Sequence, residues 1–214
     1  MKKIDLLIFD LDGTLVDTRR DLANSVNFAL NVLDLPHLET EEVMSHVGDG
    51  LKKLMHRSLP KDQLAEVDEV IDIFHGHYRE HLLDFSVFYP NVENVLNYFR
   101  GKKMAVISNK PEKFTRLILE GLRAADFFEI ILGGDSLPVM KPDPGPILYI
   151  LKQLSVSPEK TAIVGDGTTD MEAGNAANVW TCAVTYGLKE RKVLLKKNPD
   201  FMIDDILELK KIFE

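Results

Sequence analysis

A single cysteine, Cys182, occurs among 214 residues. One thiol cannot close an internal disulfide, so the fold owes nothing to oxidation and a reducing compartment suits the chain. Basic charge is also in short supply: 26 lysines and arginines stand against 34 aspartates and glutamates, a formal net charge of −8. A surface of that sign gives no general affinity for nucleic acid or anionic lipid, although a few local cations still suffice for a small anion. Long apolar runs are missing as well. No window approaches the roughly 20 apolar residues of a membrane span. Asp5 and Asp10 interrupt the opening MKKIDLLIFD before it reaches the length of a signal-peptide core. Internal repeats and low-complexity segments are absent too. The expectation is a cytoplasmic protein, a monomer or homodimer, whose partner is a small molecule and neither nucleic acid nor membrane.

What is present is a hydrophobic content of 45%, enough for a real core. The length suits one large domain or a domain with a sizeable insertion. KIDLLIFD is a near-continuous apolar run, the pattern of a strand buried on both faces. From about Asp21 to Asp84 the spacing turns helical, in DLANSVNFALNVLDL, in TEEVMSHV with a threonine cap, in LKKLMHRSL, and from Asp62 to Leu83. After Tyr89-Pro90 strands and helices alternate: KMAVISN, FFEIILGG, KTAIVGD and VWTCAVTYG read as strands, with helices of 10–15 residues between them. That alternation predicts an α/β fold, a Rossmann-like parallel sheet with helices on both faces. The helical block predicts an inserted all-helical cap domain over 17–86, leaving 1–16 and 87–214 to the α/β core.

In such a sheet, ligands bind beyond the carboxyl ends of the strands. Four polar clusters fall there or in the loops that follow: DLDG with Asp10 and Asp12, Ser108-Asn109, Lys141-Pro142, and GDGTTD with Asp166 and Asp170. Asp10 and Asp12 are two apart, so they share a face while the backbone stays extended. Like charges so placed persist when a cation, a shared proton or a reaction needs them. With Asp166 arriving on another strand, the carboxylates make a hard-oxygen site of the kind Mg²⁺ uses. Ser108, beside a helix start, and Lys141 suit a phosphate oxygen. The chemistry that follows is phosphoryl transfer through a carboxylate nucleophile, with a second carboxyl serving as acid and then base.

These residues resemble the haloacid dehalogenase-like superfamily: Asp10-Leu-Asp12-Gly-Thr-Leu, Ser108-Asn109, Lys141-Pro142 and Gly165-Asp166-x3-Asp170, in order and over nearly the whole chain. The resemblance implies Asp10 as nucleophile and Mg²⁺ ligand. It implies Asp12 as general acid/base with its backbone carbonyl on the metal, Asp166 as a direct ligand, and Asp170 acting through water or by fixing Lys141. It also implies that Ser108 and Lys141 hold the phosphoryl group, with Gly13 and Asn109 also lining the substrate. The presence of Asp12 separates phosphatases from dehalogenases in that superfamily. The segments TRRDLANSVNFALNVLDLP, HVGDGLKKLMHRSL and SNKP resemble phosphoglycolate phosphatases more closely, which implies a cap that opens for exchange and closes against water. Gly167 departs from the serine or threonine that many relatives carry.

Plainer readings stand beside these. DLDGT is also an Asp-Gly turn, Ser108 a helix cap before Pro111, Lys141 a solvated lysine, and Asp170 a complement to a helix N-terminus. A calcium loop counted from Asp10 fails, because its sixth and twelfth positions are Leu15 and Asp21. In the cap, Gly48 and Gly50 let backbone N–H groups approach an anion, or simply turn the chain, and Lys52, Lys53 and Arg57 are cations near a substrate carboxylate. His77 and His81 read as a polar helix face, and Arg191, Lys192, Lys196 and Lys197 as a solvated one. Pyrophosphatase, nucleotidase and β-phosphoglucomutase-like activities remain alternatives, as does a catalytically silent phosphate-sensing or interaction module.

Overall fold

The structure, a computed structural model, describes the backbone of residues 1–214 and every side chain except that of Asp62. In chain order it runs β1 (Leu6–Phe9), β2 (Val16–Asp17), α1 (Arg19–Val32), α2 (Thr40–His46), α3 (Leu51–Ser58), α4 (Val67–His81), β3 (Val87–Phe88), α5 (Val92–Tyr98), β4 (Lys103–Ile107), α6 (Glu112–Gly121), β5 (Ile130–Leu132), α7 (Gly145–Leu154), β6 (Thr161–Gly165), α8 (Thr168–Ala176), β7 (Trp180–Val184), α9 (Arg191–Leu195), β8 (Phe201–Ile203) and α10 (Leu209–Ile212). Two compact units share the chain: Met1–Asp17 with Phe88–Glu214, and Thr18–Val87.

The first unit is built on a six-stranded sheet in the order β5-β4-β1-β6-β7-β8, every neighbouring pair parallel. All four residues of β1 are buried, as are all five of β6. Side chains alternate across a strand, so burial of both parities means that both faces are covered, and this is why the apolar runs are unbroken. One face packs Leu6, Ile8, Ala105, Ile107 and Ile163 against Ile147 and Ile150 of α7 and Ala173 of α8. Helices cover both faces in a Rossmann-like α/β fold. The sheet order reverses at β1, where β4 lies on one side and β6 on the other, and that is the place where the carboxyl ends of neighbouring strands open a crevice.

The second unit is helical. Leu22, Val26, Ala29 and Leu30 bury one stripe of α1, and Val67, Val70, Phe74 and Tyr78 one stripe of α4; these two helices are the main packing pair of the unit. The buried carboxylate of Asp21 accepts hydrogen bonds from the backbone N–H groups of Phe85 and Ser86 and from the Ser86 hydroxyl at 2.6 Å, tying the start of α1 to the segment that returns to β3. Two local expectations are corrected here. Thr40 is the first helical residue of α2 and Glu39 takes the N-cap position, without a side-chain cap bond. The stretch expected to be helical from Asp62 opens as a 3-10 segment, Lys61–Glu66, before α4 begins. That segment holds only Leu64 and Ala65 as apolar anchors for a helical face. No helix among the described residues is long and apolar enough to cross a membrane.

Candidate active site

β1 ends at Phe9, level with Val106 on β4 and Val164 on β6. The next residue, Asp10, keeps the pairing for one more step through its N–H to the Val164 carbonyl, 2.9 Å. Ser108 follows β4 and its N–H bonds the Leu132 carbonyl on β5. Asp166 follows β6, and Asp170 sits in the first turn of α8. Parallel register therefore delivers Asp10, Ser108 and Asp166 to one rim of the sheet. The carboxylates of Asp10, Asp166 and Asp170 come together there, with one oxygen from each within 4.8 Å of the others.

Lys141 reaches this cluster from the loop after β5. Its side chain is 1% exposed, and its ammonium donates to the Ile107 carbonyl at 2.6 Å and to Asp170 at 2.5 Å, while standing 3.0 Å from Asp10. Asn109 holds the loop in place by donating from Nδ2 to the Lys141 carbonyl, 2.7 Å, and the Lys141–Pro142 peptide is cis. Asp170 thus fixes the lysine, one of the two roles implied for it, and its other oxygen accepts from the Gly167 N–H at 2.9 Å. Gly167 carries no hydroxyl, so it contributes only this backbone bond.

Three side chains or backbone groups that sequence reasoning missed position Asp166. The Thr14 hydroxyl donates to one carboxylate oxygen at 3.2 Å and the Leu188 N–H to the other at 2.6 Å. Tyr186 donates its hydroxyl to the Thr14 carbonyl, 2.9 Å. Gly13 has a φ of +84°, and a Cβ there would lie 2.3 Å from Asp166 Oδ2, so glycine is required both by conformation and by space.

Asp12 behaves differently from its neighbour. Its carboxylate lies outside the three-carboxylate cluster and accepts from the Lys110 ammonium at 2.6 Å; both side chains are nearly buried. The two acids expected to share one face of an extended strand therefore meet different lysines, because the strand ends at Phe9 and the chain turns at Gly13. Lys110 was hidden inside SNKP, where Pro111 drew attention to a helix start. The adjacency of β1 and β4 is the signal that brings the loops after them together. Ser108 accepts at its hydroxyl oxygen from the Lys110 N–H, 3.2 Å, which leaves the hydroxyl hydrogen to donate elsewhere.

The electrostatics fit a divalent cation. Burial first, and then the charge of Asp170, push Asp10 well above the usual carboxylate range, against the pull of Lys141. The same two causes lift Asp166 from 3.8 to about 7, opposed by the Leu188 N–H and the Thr14 hydroxyl. Burial alone would depress Lys141, yet Asp10 and Asp170 together hold it above its ordinary value. When all three carboxylates are ionised, they and the one ammonium carry two net negative charges in a small volume, with hard oxygen donors of the kind that Mg²⁺ takes.

A linkage prediction follows. Because the folded state binds the Asp166 proton more tightly than an unfolded chain does, metal-free stability falls as pH rises from 3.8 towards about 7. A bound ion must displace that proton, so Mg²⁺ raises Tm more at about pH 8 than at about pH 6. Calorimetry on metal-stripped protein, with and without Mg²⁺, measures this. An equal Mg²⁺ effect at both pH values counts against a carboxylate site that exchanges protons for metal.

The remaining predicted residues lie in the helical unit. Gly48 and Gly50 both have positive φ, +124° and +90°, and Gly50 is the N-cap of α3. Lys52 is exposed and paired with Asp68 at 3.1 Å, while Arg57 is paired with Asp49 at 2.5 Å. The basic residues around α9 are mostly engaged in surface ion pairs, Arg191 with Asp204, Lys192 with Glu190 and Lys197 with Glu172.

The chain belongs to the haloacid dehalogenase-like hydrolases, which residues 7–184 match, and it is a hydrolase of that family. Within it, the chain is similar to proteins named phosphoglycolate phosphatase. It is 38% identical over 216 residues to that of Chromobacterium violaceum, covering 98% of this chain and 96% of the relative, and 36% identical over 214 residues to that of Haemophilus influenzae strain Rd, covering 95% and 96%. Among solved structures, a predicted phosphoglycolate phosphatase from Haemophilus somnus superposes with a TM-score of 0.91 at 33% identity, covering 98% of this chain and 97% of that one. A haloacid dehalogenase-like hydrolase from Streptococcus pneumoniae superposes with a TM-score of 0.87 at 25% identity, covering 98% of each.

Proposed function

We propose that the protein is a Mg²⁺-dependent phosphatase of small phosphomonoesters, working through an aspartyl-phosphate, with phosphoglycolate as the favoured substrate. The observation that carries this reading is the set at the sheet rim: a partly buried Asp10, held 3.0 Å from the Lys141 ammonium, beside the buried Asp166 and Asp170. The names of the relatives support the substrate.

In this reading, Asp10, Asp166, Asp170 and the Asp12 carbonyl would hold Mg²⁺, whose positive charge would let an anionic ester approach the carboxylates. Lys141 and the Ser108 hydroxyl hold phosphoryl oxygens, and Gly13 gives the backbone close approach. Asp10 attacks phosphorus, forming a P–O bond to its carboxylate as the bond to the leaving alkoxide breaks. Asp12 delivers its proton to that alkoxide. In the second half, Asp12 takes a proton from water, the hydroxide attacks phosphorus, and the bond to Asp10 breaks, restoring both carboxyl groups. Lys110 orients Asp12 between these steps.

A panel of phosphate compounds with Mg²⁺, followed by released phosphate, tests the reading. Phosphoglycolate is expected to exceed pyrophosphate, nucleoside monophosphates and sugar phosphates in kcat/KM by at least about tenfold. Preference for another member reassigns the substrate and keeps the chemistry. Isomerisation of a sugar phosphate without phosphate release, or release from no member, rejects the phosphatase itself.

A further inference from the structure

Buried cations are few: among the described residues, only Lys110 and Lys141 qualify. Lys141 is engaged by the Ile107 carbonyl, Asp170 and Asp10. In the proposed chemistry it takes the phosphoryl group and Lys110 orients Asp12, which leaves the carboxylate of the favoured substrate without a cation. Lys110 is fixed in place from both sides. Its N–H donates to the Ser108 hydroxyl oxygen at 3.2 Å, its carbonyl accepts from the Gly134 N–H at 2.8 Å, and a Cβ on Gly133 would lie 2.7 Å from that carbonyl oxygen. The turn that presents Ser108 to the phosphoryl group therefore presents Lys110 as well.

The Lys110 side chain is 6% exposed, and its ammonium stands 2.6 Å from Asp12 Oδ1. A cation so shielded from water binds a carboxylate more strongly than an exposed one does. The cations that the sequence singled out in the helical unit are of the exposed kind: the Lys52 side chain is 72% exposed and paired with Asp68, and Arg57 is paired with Asp49. Reach also favours Lys110. An acid that protonates the leaving oxygen sits within about 3 Å of it, and the Lys110 ammonium is one hydrogen bond further on. Where a carboxylate is carried by the carbon that bears the ester oxygen, its oxygens lie about 3–4 Å from that oxygen. One charge-assisted hydrogen bond of about 2.8 Å then joins it to the ammonium, whose three donors can bridge Asp12 and the substrate. A further carbon between the two groups displaces the carboxylate by about 1.5 Å and spoils that fit.

We propose that Lys110 is a specificity-determining residue that receives the substrate's carboxylate, so that the site selects phosphate monoesters of 2-hydroxy acids, the class to which phosphoglycolate belongs. This inference rests on the proposed phosphatase reaction and extends it from one ester to a class. The two buried lysines divide the substrate between them: Lys141 binds the group that is transferred, and Lys110 binds the group that leaves.

Steady-state kinetics with Mg²⁺ on phosphoglycolate, on the phosphate ester of 3-hydroxypropionate and on ethyl phosphate test this in the parent and in Lys110→Met. Ethyl phosphate keeps an alkyl leaving group and lacks the carboxylate. The parent is expected to favour phosphoglycolate over ethyl phosphate in kcat/KM by at least about a hundredfold, and over the longer acid by at least about tenfold. In Lys110→Met the preference over ethyl phosphate is expected to shrink by at least about tenfold. Because Lys110 also orients Asp12, the variant is slower on every ester, and only the ratio reports the carboxylate. A ratio unchanged in Lys110→Met, with all the esters slowed alike, overturns the proposal and leaves the phosphatase reading standing. A parent that does not prefer phosphoglycolate overturns the proposal and the substrate assignment together, and phosphate release from none of the esters rejects the phosphatase as well. A crystal structure of Asp10→Asn with phosphoglycolate and Mg²⁺ reads the contact without altering Lys110, so a variant that fails to fold does not remove the test. The substrate carboxylate is expected within about 3.2 Å of Lys110 Nζ, and a carboxylate held by another cation instead overturns the proposal.

Discussion

Asp10→Asn is expected to lower phosphatase turnover by on the order of 10⁴-fold or more while leaving the fold intact. The amide keeps the shape and the backbone bond to Val164, but it is not a nucleophile. The substitution also removes one of three crowded carboxylates whose burial and mutual repulsion raise Asp10 well above its usual range. The variant is therefore expected to be no less stable than the parent in the absence of metal. Loss of activity together with retained or raised Tm separates a chemical role from a structural one. Phosphate release and thermal unfolding on the same preparation read both, and unchanged turnover rejects Asp10 as nucleophile.

Lys141→Met, by contrast, is expected to damage stability as well as activity. The lysine is as buried as a core residue, and its ammonium meets a carbonyl and two carboxylates. Methionine fills much of the same space and leaves Asp10 and Asp170 without their cation. Breaking a buried ion pair from one side costs about 3–5 kcal/mol, which for a chain of this size lowers Tm by roughly 10 °C. The loss is expected to shrink towards about pH 5, because a carboxyl that takes a proton no longer needs the ammonium. Mg²⁺ is expected to recover part of the stability and none of the phosphoryl contact. A Tm within about 2 °C of the parent in metal-free buffer at about pH 8 would show that the buried charges are satisfied without Lys141.

Much of this fold could be read from periodicity. Unbroken apolar runs marked β1 and β6 because both faces of a parallel strand are covered, and four polar motifs marked the rim because strands of one direction end on one side. Asp10, Ser108, Lys141, Asp166 and Asp170 were legible for that reason. Lys110 was not, since its partner Asp12 is 98 positions away and no local pattern encodes such a contact; it follows only from β4 lying beside β1. Thr14 and Leu188, which meet Asp166, and Tyr186, which meets Thr14, were hidden for the same reason, reaching across loops whose proximity comes from strand order. The cap of α2 was misread because threonine is a frequent cap, whereas the backbone turns helical one residue earlier, after Glu39. The stack of His77 on Phe28 joins two helices that the sequence separates by about fifty residues, so a spacing of four alone could suggest only a polar face.

Mapping of the phosphorylated residue during turnover bears most directly on the central claim. With phosphoglycolate and Mg²⁺, acid quenching followed by peptide mass analysis is expected to place one phosphoryl group on the peptide that contains Asp10, and none there in Asp10→Asn. A phosphoryl group on any other side chain, or steady turnover with no phosphorylated protein at any time, contradicts it.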